Sequence, residues 1–298
     1  MRLRYKSKGD MLFIIILLFL LTCIGLLMLY PLIYVVSCSF SNPVAVMTGR
    51  VILWPVEPTI LGYKSVFSND RILMGYFHTL RYMILGATLC VFMCLLAAYP
   101  LSRPDFKGRN IFMIFFAVTM FFNGGMIPTY LLINNLKMIN TIWALVLPGA
   151  VNVWFIIIIR TFYQSNISLE LLEAAQIDGC TNRWFFFCCV LPLSKAVIAV
   201  MILFSAVGYW NSYMAPLLYL NDSTKYPLQL VLREILIKNS TQEMMTFMED
   251  IDSAEIRKRL EYLLKYGIIV VSSVPVLIAY PFVQKHFVKG VMIGSLKG

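Results

Sequence analysis

Apolar residues in this chain are gathered into long blocks separated by short polar islands. They do not alternate with period two, nor do they form the half-apolar stripe of a surface helix. The first block, Met11–Val36, contains no charged residue. A helix crosses ~30 Å of hydrocarbon with about 20 apolar residues at a rise of ~1.5 Å each, so this block is long enough. Further blocks lie at about 76–101, 111–132, 141–159, 185–220 and 263–283. Backbone groups in lipid must bond internally, which predicts helices. The pattern therefore predicts an all-α integral membrane protein with six spans within 11–284, a basic tail at 1–10 and a second tail at 285–298. The first block is too long for a secretory signal and has no clear small-x-small cleavage site, so it is read as an uncleaved span. Residues 37–75, with Asn42-Pro43, Trp54-Pro55 and Glu57-Pro58, read as a loop rich in turn formers. The third block is interrupted by Asn123-Gly124-Gly125 and Pro128, and the fifth is longer than a bilayer requires.

Composition agrees. The 298 residues are 60% hydrophobic and 13% charged, against about 45–50% and about 25% for soluble domains. A net charge of +10 could suggest nucleic acid, but the basic residues are scattered between apolar blocks and form no patch, so no nucleic-acid partner is expected. They read instead as topology signals. With the amino end, the 102–110 turn, the 160–195 region and the carboxyl tail in the cytoplasm, the inner side holds Arg2, Arg4, Lys6, Lys8, Arg103, Lys107, Arg109, Arg160, Arg183, Lys195, Lys285, Lys289 and Lys297. Short outer loops hold few, which favours both ends inside. The seven cysteines (Cys23, Cys38, Cys90, Cys94, Cys180, Cys188 and Cys189) show no metal-ligand spacing. They read as packing residues, and neither metal nor cofactor is expected.

One polar island needs its own account. Glu170, Glu173 and Asp178 sit close together between two apolar blocks. A lone carboxylate at the centre of a membrane helix costs about 2.5–3.5 kcal/mol on insertion scales, so a cluster of them leaves the bilayer. Ser168 can cap a short helix over Leu169–Ile177, with Glu170 in its first turn and Gly179 supplying the left-handed residue that ends it. Small Ala174 and Ala175 allow close approach of another surface. Geometry alone leaves two readings open, an ordinary interfacial helix and a docking element.

Glu173-Ala174-Ala175, then Asp178-Gly179, then Leu191-Pro192, resembles the cytoplasmic EAA signature of binding-protein-dependent ABC import permeases. The chain is similar to one branch in particular, the carbohydrate permeases of the maltose-permease G-subunit and LplC type. Ile127–Leu132, Ile139–Leu145 and Tyr226–Ile235 support this, as does the glycine-bearing ending from Gly290. Ser168 departs from the proline common there, yet serine also caps a helix start. The resemblance implies the type I importer (MetI-like) permease fold in the bacterial plasma membrane, with a cytoplasmic coupling loop at about 165–184. It implies that Glu173, Ala174, Ala175, Asp178 and Gly179 couple to a cytosolic ATPase dimer, and that tail residues Gly294, Ser295, Lys297 and Gly298 reach the same partner. It further implies a second, homologous permease, an extracytoplasmic sugar-binding protein and an oligosaccharide cargo. The segment between the last two spans, with Lys225, Arg233, Glu234, Lys238, Glu249–Asp252 and Arg257–Arg259, becomes a docking candidate for that binding protein; as plain sequence it is a solvated helix.

The chain has no G-x-x-x-x-G-K-[ST] phosphate loop, so an ATPase would have to be a separate subunit and no enzymatic activity is expected. For the solute path the candidates are Asn123 and Gly124, as an unwound stretch, and Tyr209, Trp210, Asn211 and Tyr213 with Ser205 and Ser212. Aromatic faces, amides and hydroxyls suit sugars; an aromatic belt and helix packing explain the same residues without a ligand. His78 and Arg81 read as outer-end residues that snorkel or face loops. Two alternatives remain at this level: a permease of the same architecture for a non-sugar solute, and a membrane enzyme or secondary transporter. The second would need an intramembrane carboxylate or histidine cluster, and the blocks hold almost none.

Overall fold

The computed structural model describes residues 8–245, 264–278, 280 and 281. Every described element is helical. In chain order these are α1 (Lys8–Ser39), α2 (Pro43–Met47), α3 (Leu61–Phe67), α4 (Asp70–Ser102), α5 (Arg109–Phe121), α6 (Met126–Asn135), α7 (Trp143–Val146), α8 (Val153–Asn166), α9 (Leu169–Ile177) and α10 (Asn182–Phe185). A π turn over Phe186–Val190 leads into α11 (Leu191–Leu193), α12 (Lys195–Trp210), α13 (Met214–Tyr219) and α14 (Leu228–Met245), and α15 covers Leu264–Ile278.

By length and composition, α1 and α4 could each cross a membrane, and up to four crossings result if each bent pair counts as one. Several expected blocks are broken. The third is α5 and α6, bent by 108°. Gly125, at φ +84°, takes a conformation open to glycine, and its N–H is held by the Asn123 side chain at 3.0 Å. The block expected as one helix over 141–159 is two helices, α7 and α8, because Pro148-Gly149 interrupts the ladder between them. Asn152 then restarts it, its side chain accepting from the Phe155 N–H at 3.2 Å. The fifth block bends by 78° between α11 and α12. Pro192 cannot donate to the carbonyl four residues back, and the chain absorbs this in the π turn. Residues 37–75 are more ordered than a loop reading suggests, since they contain α2, α3 and the start of α4.

The chain divides into two compact units. One comprises residues 1–69 and 235–274. Its small core gathers Cys38, Ala45, Val46 and Val51, with Tyr34, Val56 and Tyr266 packed on them. Asn42 caps α2 and also donates to Glu57 at 2.8 Å. Most of α1 is exposed apolar surface, and its most apolar window has no buried residue. The other unit, 70–234 and 275–298, is built on α4. Its buried positions, Ile72, Gly75, Thr79, Tyr82, Gly86, Cys90, Cys94, Ala98 and Leu101, recur at helical spacing and form one stripe. Many of them are small, the usual means of close helix approach where no water drives association. A Cβ on Gly75 would lie 3.1 Å from the Leu228 Cα. Beside it the buried Thr79 hydroxyl accepts from the Leu228 N–H at 2.8 Å, satisfying an otherwise orphaned donor at the start of α14. Helices α8 and α12 pack on the rest of the stripe.

Candidate functional site

The helix α9 forms as its sequence demands. Ser168 accepts from the Leu171 N–H at 3.3 Å, a cap worth about 1 kcal/mol. Glu170 stands in the first turn, where the helix dipole favours a carboxylate. The far end closes with the Gly179 N–H on the Gln176 carbonyl at 3.0 Å and the Cys180 N–H on the Ala175 carbonyl at 2.8 Å. Gly179 takes φ +77° to allow this. Thr181 then caps α10, accepting from the Trp184 N–H at 3.4 Å.

One side of α9 is seated and the other is free. Leu172, 7% exposed, enters the core that also holds Leu101, Tyr163, Phe185 and Val190, and Ala175 and Cys180 pack at its margin. Glu173, Ala174, Gln176, Asp178 and Gly179 are exposed. Ile177 is 87% exposed, and Trp184 nearby is 65% exposed. Next to α9 lies a pocket of about 290 Å³, lined by Tyr99, Arg103, Arg109, Gln164 and Ser168 among others. In the turn after α4, Arg103 forms a two-point ion pair with Asp105 at 2.7 Å. The hydrogen bonds from Arg103 hold the Asp105 carboxyl below the usual carboxylate range, so it stays ionised at neutral pH.

A second feature is a cavity of about 420 Å³ where α7 breaks from α8. Asn152, Ser205, Tyr209, Ser212 and Tyr219 give it polar and aromatic walls, with Phe155 and Phe204 beside them. No charged side chain is among its described lining residues. The Pro148-Gly149 break itself borders this cavity. Tyr209 is the centrepiece. A Cβ on Gly86 would overlap its ring, and one on Gly149 would meet its hydroxyl at 3.0 Å. The Tyr209 hydroxyl donates to the Val146 carbonyl at 3.4 Å.

Of the six residues expected along a solute path, Tyr209 lines this cavity and the other five do not. Asn123 and Gly124 form the exposed bend between α5 and α6. Trp210 is buried, its ring 6.0 Å from Tyr76. Asn211 donates back to the Val207 carbonyl at 3.0 Å, and Tyr213 lies under the Arg233 guanidinium at 5.7 Å. Ser205 and Ser212 do reach the cavity, and Asn152 joins them from a stretch read as plain helix. His78 is half-buried, 5.8 Å from Tyr82 between ring centres, and Arg81 is exposed. The tail residues Gly294, Ser295, Lys297 and Gly298 lie outside the described residues, as do Glu249–Asp252, Arg257–Arg259 and the side chain of Lys238.

Residues 60–293 match the family model described as "Binding-protein-dependent transport system inner membrane component". The chain belongs to this family. The permease is 41% identical over 283 residues to the polygalacturonan/rhamnogalacturonan transport system permease protein YtcP of Bacillus subtilis, covering 95% of this chain and 96% of that one. It is 37% identical over 294 residues to protein LplC of the same organism, covering 99% and 98%. Among solved structures it resembles a chain of a bacterial ABC transporter involved in the import of the acidic polysaccharide alginate. The TM-score is 0.85 at 31% identity, over 95% of the permease and 99% of that chain. The family and these relatives make this a membrane transport subunit of the bacterial inner membrane.

Proposed function

We propose that the permease carries an oligosaccharide across the plasma membrane as one subunit of an ATP-driven importer, and that α9 is where it takes its motion from a separate cytosolic ATPase dimer. The observation that carries the reading is the two-sided seating of α9. Leu172 fixes it to the core with Ala175 packed at the margin, while Glu173, Ala174, Asp178, Gly179 and the bare Ile177 form an exposed outer end. An ATPase that binds this end differently in its open and closed forms shifts the permease between inward- and outward-facing states by that difference in affinity, and by no more. In this reading six spans place both ends in the cytoplasm, and the tail from Gly294 also reaches the ATPase.

The remaining partners follow from the family. A second, homologous permease meets the exposed apolar faces that lipid does not cover, and an extracytoplasmic binding protein delivers the sugar. The polygalacturonan/rhamnogalacturonan permease YtcP supports a carbohydrate cargo, as does the lining of Asn152, Ser205, Ser212 and Tyr209, which offers amide, hydroxyl and ring contacts to sugar hydroxyls and faces. We assign this cavity as the permease's share of the passage.

The decisive test is copurification of the tagged permease with its ATPase, followed by the same with Glu173→Lys. The wild type should retain the ATPase, and the variant should insert normally but retain less of it and lose uptake. A wild-type permease that brings down no ATPase would overturn the transport reading. For cargo, the associated binding protein should retain oligosaccharides in a ligand-binding screen; a protein that retains only non-sugar solutes would replace the sugar with that solute and leave the coupling role intact.

A further inference from the structure

We propose that Arg103 is a positioning residue that makes α9, the α10 turn after it and the cytoplasmic end of α4 move as one piece. The inference rests on the docking role assigned to α9 and says how a displacement there is kept from being lost before it reaches the core. Arg103 follows directly on α4 and is 9% exposed. A cation so placed persists only if its donors are satisfied, and every nitrogen of its guanidinium has a partner. Nε and Nη2 donate to the two Asp105 carboxylate oxygens at 2.8 and 2.7 Å, within the turn between α4 and α5. Nη1 donates to the Tyr99 hydroxyl in the last turn of α4 and to the Asn182 side-chain oxygen at the start of α10, both at 3.0 Å. From α5, Arg109 donates to the Arg103 carbonyl at 3.4 Å.

This connection matters because of what lies between α9 and α10. Asp178, Gly179 and Thr181 are exposed, as is Asn182 at the start of α10, and a Cβ added at Gly179 would meet open space. A short segment of this kind at an element's end is where backbone rotation absorbs a displacement. Leu172 anchors the helix on one side of it, and the Arg103–Asn182 bond holds the other. Lysine cannot substitute, since its ammonium is a single point of charge without the planar fork that grips Asp105 while reaching Tyr99 and Asn182.

The test uses the whole transporter, both permeases with the ATPase, in proteoliposomes. Genetically encoded spin labels at exposed Leu171 on α9, outside the docking end, and at exposed Leu96 on α4 report their separation by pulsed EPR, with and without a non-hydrolysable ATP analogue. With Arg103 intact, one narrow distance should persist in both conditions. Arg103→Lys and Asn182→Leu should each broaden it without nucleotide and shift it with nucleotide. Asn182→Asp placed on Arg103→Lys should narrow it again by restoring a charged bond. Asn182 is exposed, so its variants decide the matter if Arg103→Lys fails to assemble. A distance that stays narrow in both single variants, or that shifts with nucleotide in the wild type, would overturn the proposal. Loss of the ATPase from the wild-type complex would remove the docking role itself, a separate and recognisable failure.

Discussion

The α9–α10 segment and the Tyr209 cavity are organised in opposite ways. The first is a local structure: cap, helix, left-handed glycine and second cap follow one another within residues 168–185, and its capping and closing bonds join near neighbours. The second is assembled from distant pieces. Gly86 of α4, Gly149 of the α7–α8 break and Tyr209 of α12 have no relation in sequence, yet the ring of one fits only because the other two lack side chains. In the proposed roles, α9 as a coupling surface has to present a fixed shape to a partner, which a local motif does readily, and the cavity as a passage has to rearrange, which walls drawn from several helices allow.

The largest effect should separate partner contact from backbone strain at Gly179. Its φ of +77° is open to asparagine, and no atom lies within 4 Å of an added Cβ. Gly179→Asn should therefore leave membrane insertion intact and cost about 1 kcal/mol of backbone strain, and Gly179→Asp, with the same strain, should insert but abolish uptake in a transport assay. Normal uptake with aspartate would show that the outer end of α9 meets no partner. Next in size is Leu172→Ala, which removes the anchor. Deleting a buried leucine typically costs about 2–5 kcal/mol, so the detergent-solubilised permease should melt at a clearly lower temperature. If the melting temperature holds, α9 is attached by its chain ends alone.

The same contrast governs how much could be read from the sequence. The α9 cap, its span and its terminating glycine were all legible, since each is set by residues within a few positions: Ser168, Glu170 and Gly179. The helical class followed from block length. The break of the third block at Asn123-Gly124-Gly125 was legible too, whereas the breaks of the fourth and fifth blocks were not. Pro148-Gly149 divides the 141–159 block, yet Pro31 and Pro100 lie inside unbroken α1 and α4. The outcome depends on whether a cavity or neighbour receives the freed backbone groups, which is a tertiary fact. Tyr209, Ser205 and Ser212 were in view because they are polar in an apolar block, whereas Trp210 and Tyr213 shared that signal and turned elsewhere. Asn152 was missed because its role is created by the break. Arg103 was counted as a topology charge, and its bond to Asn182 across 79 positions left no local trace.

A third prediction strikes the cavity. Gly86→Ala forces the Tyr209 ring aside, and overpacking of this kind costs about 1–3 kcal/mol. Uptake should fall along with stability, and Tyr209→Ala in the same chain should recover the stability without the uptake. Recovery of both would mean that Tyr209 serves packing alone.

The smallest effect sharpens the local side of the comparison. Ser168→Ala removes the side-chain acceptor of the Leu171 N–H and should cost about 1 kcal/mol, within the usual span of about 0.5–2 kcal/mol. Because the cap is exposed, water can replace the lost bond, and only the first turn of α9 should fray. Amide exchange should therefore quicken at Leu169–Leu172 and stay unchanged at Ala175–Cys180, where the closing bonds belong to Gly179 and Cys180. Serine and glycine hold opposite ends of one short helix. If exchange quickens along its whole length, those ends are not independent, and α9 forms only as a unit with the surface that receives Leu172.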